Sequence, residues 1–113
     1  MRIRHLLIDA RGCAGPLDDA ERLMAVLKEA AASVGAHEYG STRARYVPHG
    51  VTVVLILAES HMLLSTWPEH GLCLVEILLC NEDMEPETAW AVLKEVLQPA
   101  AEDLRVIERG VHA

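Results

Sequence analysis

Four side chains could do covalent chemistry together: Glu59, Ser60 and His61, which are adjacent, and Cys80 further along. The first three end the most apolar run of the chain, residues 51–58. A buried strand ordinarily turns on Gly, Asn, Asp or Pro; this one delivers an acid, a hydroxyl and an imidazole. A serine held in a strained turn can attack the carbonyl that precedes it. The N-to-O acyl shift gives an ester, and elimination across that ester breaks the chain and leaves a pyruvoyl group at the new N-terminus. The parts needed are a Ser, a polarised carbonyl before it and a proton acceptor nearby, and Glu59-Ser60-His61 holds all three. Read locally, the same tripeptide is also an ordinary polar hairpin turn, and a free cysteine such as Cys80 is also an ordinary small buried hydrophobe.

Several elements must position these residues. Residues 3–9 read as a strand and 11–16 as a Gly/Pro-rich loop. Pro16 suits a first helical turn, with Asp18 and Asp19 at the positive end of the dipole. Ala20, Leu23, Met24, Leu27, Ala30, Ala31 and Val34 then mark one face of a helix ending near Gly35. A polar, β-tolerant segment over 37–47 and a Pro48-His49-Gly50 turn lead into the apolar strand. After the Glu-Ser-His stretch come a short strand over 62–66, a loop over 67–71 and a strand over 72–80. Alternation puts Glu76 and Cys80 on one face of that last strand and Cys73 on the other. An acidic loop precedes a second helix that starts at Pro86, carries Ala89, Val92, Leu93, Val96 and Leu97 on its apolar face and stops at Pro99. Residues 104–109 form a last strand and 110–113 a tail. The expected fold class is α+β: a two-layer sandwich, with a mainly antiparallel sheet and two helices packed on one face. Residues 1–113 form a single domain. A strand apolar on both sides then needs a second cover, which a homodimer would supply.

A chain of 113 residues holds one core, and 51% apolar residues suffice to fill it, with aliphatic side chains because Phe is absent. The net charge of −7 disfavours a nucleic-acid partner. Cys13, Cys73 and Cys80 are odd in number and lack C-x-x-C spacing, which fits neither a disulfide framework nor a zinc site and points to a reducing cytoplasm. The longest apolar run is too short for a membrane span, and Asp9 cuts short any signal-like segment. His49, His61 and His70 match no metal-ligand spacing.

The segment from Gly50 through Ala58-Glu59-Ser60-His61, followed by Thr66-Trp67-Pro68-Glu69-His70-Gly71 and then Cys80, resembles the bacterial and archaeal S-adenosylmethionine decarboxylase proenzymes. That family carries a Gly-Val-Ser strand, an Ala-Glu-Ser-His cleavage site, a His-Thr-Trp-Pro-Glu-Tyr-Gly loop and a downstream Cys. The resemblance reaches back to His5-Leu6-Leu7 and Gly12-Cys13. It implies cleavage between Glu59 and Ser60, a covalent pyruvoyl cofactor derived from Ser60, and a small-molecule substrate whose amine forms a Schiff base with it. It implies Cys80 as the acid that protonates the α carbon, and Tyr46, Trp67 and Glu69 as substrate contacts. It implies a place in polyamine (spermidine) biosynthesis and a homodimer of processed αβ protomers.

Three positions depart from the family pattern. Ser65 replaces the loop His, the base of the elimination step; Thr52 replaces the Ser of Gly-Val-Ser; and His70 replaces the Tyr. A serine cannot serve as a base near neutral pH, so His61, His70 or another base takes over or processing fails. Two alternatives therefore stand beside S-adenosylmethionine decarboxylation. One is decarboxylation of another amino acid such as ornithine or arginine. The other is a non-cleaving, non-enzymatic homologue that binds or regulates a partner.

Overall fold

The structure, a computed structural model, describes residues 2–110; the tail expected beyond Gly110 lies outside them. Six strands, β1 (Arg2–Arg11), β2 (Glu38–Arg45), β3 (Val51–Leu57), β4 (Ser60–Trp67), β5 (Leu72–Leu79) and β6 (Ala101–Gly110), form one sheet in the order β2-β3-β4-β5-β1-β6. Every pairing is antiparallel. Helices α1 (Ala20–Ser33) and α2 (Pro86–Leu97) pack against each other, α1 over β3 and α2 over β5 and β1. This is the α+β sandwich expected.

Period-two alternation sorts the sheet into two faces. Val51, Val53, Leu55 and Leu57 of β3, Met62 and Leu64 of β4, and Cys73, Val75, Ile77 and Leu79 of β5 are buried under the helices. Burying a side chain of this size contributes about 1.5–3 kcal/mol. The opposite face carries Val54, Leu63, Leu74 and Leu78, only partly covered.

Three boundaries differ from expectation. The first helix starts at Ala20, not at Pro16, because Asp19 is its cap, accepting a hydrogen bond from the Arg22 amide at 3.0 Å. The amides ahead of it are used elsewhere: Cys13 donates to the Gly71 carbonyl, Ala14 to Gln98 and Gly15 to Leu97. Strand β4 begins at Ser60 itself rather than at Met62, and the final strand runs over Ala101–Gly110 rather than 104–109. Helix α2 starts at Pro86 as expected, closes through Gln98 in the left-handed conformation, and also buries Trp90, whose indole donates to Glu102 at 2.6 Å.

Arg4, almost fully buried on β1, reaches the acidic loop: it donates to the Glu85 carboxylate at 3.0 Å, to the Glu82 carbonyl at 3.2 Å and to the Met84 carbonyl. One guanidinium thus fixes the segment between β5 and α2. Arg4→Met should cost about 2 kcal/mol, the value of hydrogen bonds to a charged group, read as a lower denaturation midpoint. Gly15 lies against the end of α2, where a Cβ would fall 1.9 Å from the Val96 carbonyl oxygen. Gly15→Ala should therefore cost at least about 1–3 kcal/mol, the usual overpacking penalty, and a thermal melt at wild-type temperature would contradict this backbone contact.

Candidate active site

Leu57 pairs with Ser60, so only Ala58 and Glu59 turn the chain between β3 and β4. A two-residue hairpin loop requires positive φ. Here Glu59 supplies it, at φ 61°. A side-chain-bearing residue in that region is strained by about 1–2 kcal/mol. The strained residue's carbonyl is the one that precedes Ser60. Ser60 Oγ donates to the neighbouring Ala58 carbonyl oxygen at 3.2 Å.

The register also decides which way the side chains point. Ser60 pairs with buried Leu57 and shares its helix-side face; His61 pairs with Ile56 on the opposite face. The His61 ring lies edge-on to His5, 6.3 Å between centroids. The histidine next to Ser60 in sequence is thus turned to the other side of the sheet. His5 in turn sits 3.3 Å from the Glu76 carboxylate.

At the turn, Glu59, Ser60 and Cys80 line a cleft of about 590 Å³, walled by residues 35–37 after α1 and by the acidic loop 81–84 that Arg4 holds. Cys80 Sγ lies 3.9 Å from Glu59 Oε2 across it. His37 is in the same wall, and its backbone carbonyl accepts the Ala58 amide at 3.0 Å. Sequence reading placed His37 only in a β-tolerant segment. No local pattern marks it, because the contact joins a helix exit to a hairpin 21 residues later.

The other candidate residues gather at the opposite end of β3 and β4. Tyr46, Thr52, Ser65, Trp67 and Glu69 line a second cavity of about 370 Å³. Tyr46 Oη and Thr52 Oγ1 are 2.9 Å apart, and Thr52 Oγ1 and Ser65 Oγ 3.0 Å, forming a chain of three hydroxyls. Glu69 is hydrogen-bonded to His49 in the same cavity. Gly50 at φ 106° lets the turn before β3 pass close to Thr66, and its amide donates to Asp18 at 2.7 Å. From Ser60 to Ser65 is five strand residues, about 17 Å at the usual rise. The residues singled out from sequence therefore form two clusters within one chain: Glu59, Ser60 and Cys80 in one, Tyr46, Thr52, Ser65, Trp67 and Glu69 in the other, with His61 in neither.

Cys13, Cys73 and Cys80 are all free thiols. Burial pushes the Cys73 thiol far up, and the Cys13 thiol up less, as the Cys73 backbone amide partly offsets the desolvation. Neither is poised as a nucleophile. Among the described residues, no three metal-ligating side chains converge, and no helix is long and apolar enough to cross a membrane.

Comparison with known proteins covers both clusters. The S-adenosylmethionine decarboxylase family profile matches residues 4–110. The S-adenosylmethionine decarboxylase proenzyme of Thermosipho africanus is 36% identical over 96 residues, 84% of this chain and 74% of that protein. The proenzyme of Symbiobacterium thermophilum is 36% identical over 108 residues, 95% of this chain and 82% of that protein. The solved adenosylmethionine decarboxylase of Aquifex aeolicus VF5 has a TM-score of 0.89 at 30% identity, covering 98% of this chain and 92% of that one. A match that spans the sheet, both helices and the strained turn shows that this chain belongs to the S-adenosylmethionine decarboxylase family.

Proposed function

We propose that this chain is a proenzyme that cleaves itself between Glu59 and Ser60 and then decarboxylates S-adenosylmethionine. The observation that carries the reading is the hairpin turn, which holds Glu59 at φ 61° immediately before Ser60. Opening the bond at that point releases backbone strain. The relatives' name, S-adenosylmethionine decarboxylase proenzyme, gives the substrate.

The residues at the turn fit a pyruvoyl group derived from Ser60: the serine sits at the edge of an open cleft, and Cys80 lies across that cleft beside Glu59. Such a group supplies a carbonyl electron sink for loss of carbon dioxide. Cys80 Sγ holds the proton to be delivered to the substrate carbon. Tyr46 and Trp67 offer aromatic faces to the adenine, and Glu69 a carboxylate to the substrate's polar groups.

The working unit we propose is a homodimer of processed protomers in the cytoplasm, where free thiols persist. Two observations support the dimer. Val54, Leu63, Leu74 and Leu78 form an apolar sheet face that neither α1 nor α2 covers. The two clusters lie at opposite ends of β3 and β4, so a two-fold-related copy placed face to face would bring the turn of one protomer to the aromatic cavity of the other.

Intact-mass spectrometry of the purified protein should resolve residues 1–59 and a pyruvoyl-headed remainder, while Ser60→Ala stays whole. A wild-type chain that stays whole after long incubation would overturn the reading in favour of a non-enzymatic homologue. Carbon dioxide should be released from S-adenosylmethionine and not from ornithine or arginine supplied alongside. Cys80→Ala should cleave normally and lose turnover; equal turnover would remove Cys80 from the acid role. Leu63→Glu, at the centre of the uncovered face, should sediment as a monomer and lose most of its activity.

A further inference from the structure

We infer that Asp18 is a positioning residue for the substrate cavity and acts through the Gly50 amide. The inference rests on the substrate reading proposed above, in which Tyr46, Trp67 and Glu69 hold S-adenosylmethionine. Two adjacent acids precede α1, and they have different partners. Asp19 caps the helix by accepting from the Arg22 amide at 3.0 Å, which leaves Asp18 free of the helix. Asp18 Oδ1 instead accepts from the Gly50 amide at 2.7 Å, across 32 positions of sequence. One carboxylate thus joins the lead-in to α1 and the turn before β3.

Gly50 is the point at which the walls of the cavity meet. Its carbonyl accepts the Tyr46 amide at 2.8 Å and so closes the turn over residues 46–50. A Cβ on Gly50 would lie 3.1 Å from the Thr66 carbonyl oxygen, 3.6 Å from the Tyr46 ring and 3.8 Å from the Pro68 ring. Tyr46 is one aromatic wall of the cavity, and Pro68 follows Trp67, the other. The same turn carries His49, whose imidazole is hydrogen-bonded to Glu69. A shift of this turn therefore moves Tyr46 and the partner of Glu69 together, relative to Trp67.

The chemistry of the contact suits this role. Gly50 is buried, so removing its acceptor leaves an amide that water does not replace. Gly50 sits at φ 106° and has no side chain of its own with which to hold the turn. An ionised acceptor makes the bond stronger than a neutral one. Asp18 does not line the cavity itself; it lies in a neighbouring pocket with Cys13, Pro16 and Pro68. Its influence on the cavity passes through Gly50. Every link from Asp18 to Tyr46 is a contact within one chain, so it holds whether or not a second copy closes the cavity.

The test separates binding from chemistry. In a Ser60→Ala background, which forms no pyruvoyl group, methylthioadenosine supplies the adenine and ribose without the reactive amine, and calorimetry reads its affinity. Asp18→Ala should weaken that affinity about tenfold, the worth of a hydrogen bond to a charged group. Asp18→Asn keeps an oxygen that accepts the Gly50 amide and should restore most of it. In protein with Ser60 intact, with rates counted per pyruvoyl group by mass, Asp18→Ala should raise KM for S-adenosylmethionine by the same factor. It should change kcat by less than about twofold, the pattern of lost uniform binding. Circular dichroism should be unchanged, because Asp19 still caps α1. Equal affinity in Asp18→Ala overturns the inference and leaves the substrate reading standing. So does an Asp18→Asn as weak as Asp18→Ala, since the acceptor for the amide would then not be what matters. Loss of the native circular dichroism overturns it too, by making Asp18 a residue of the fold alone. A Ser60→Ala chain with Asp18 in place that does not bind methylthioadenosine removes the substrate reading of the cavity and the inference together.

Discussion

Two residues must reverse the chain between two strands that are buried on the same side. Leu55 and Leu57 on β3 and Met62 and Leu64 on β4 are held under the helices and leave the turn no slack. The connection therefore takes the only length the register allows, and one of its residues must adopt positive φ. Glycine or asparagine would do this at little cost; the sequence places Glu59 there instead. The core on either side imposes the strain, which local preference would relieve, and that strain falls at the bond before Ser60. The cleft, the placement of Cys80 and the tether to His37 are all built around this turn.

Much of this was legible beforehand. The apolar alternation of 51–57 and 72–79 and the helical spacing of 86–97 specify their elements because burial enforces those periods. The Glu59–Ser60 junction and Cys80 were visible as chemistry, and they do share a cleft. What could not be read was sidedness across the turn. Adjacent residues in a strand point oppositely, so His61, next to Ser60 in sequence, faces the other side of the sheet, while residue 37 lines the same cleft as Ser60, its carbonyl joined to the Ala58 amide by a long-range hydrogen bond. Trp90 was missed for a similar reason: its indole is buried only because Glu102, on a strand beyond the helix, accepts its proton. The start of α1 was misjudged because Pro16 lies in a loop whose amides cap the end of α2 and meet the turn after β4.

Ser65 deserves a physical reading rather than being counted as a loss. Its hydroxyl is bonded to Thr52, whose hydroxyl is bonded to Tyr46. The three satisfy one another's hydrogen-bonding capacity at the rim of the aromatic cavity, a local arrangement that orders the wall of a binding site. Hydroxyls of this kind hold and orient but do not draw off a proton near neutral pH. The two clusters thus differ in chemistry: hydrogen-bonding and aromatic surface at one end of β3, and strained backbone and a thiol at the other.

The strand order bears on the cleavage proposed between Glu59 and Ser60. The segment before Ser60 contributes β1, β2 and β3, and the segment from Ser60 onward contributes β4, β5 and β6, but the sheet runs β2-β3-β4-β5-β1-β6. β1 is wedged between β5 and β6 and belongs to the other piece from both. The two products are therefore interlaced like the fingers of clasped hands. They could part only by tearing two further ladders through the middle of the sheet, along with the β3–β4 ladder. Covalent continuity across the turn is dispensable to the architecture, so the proposed cleavage would make a reactive end and leave the shape in place.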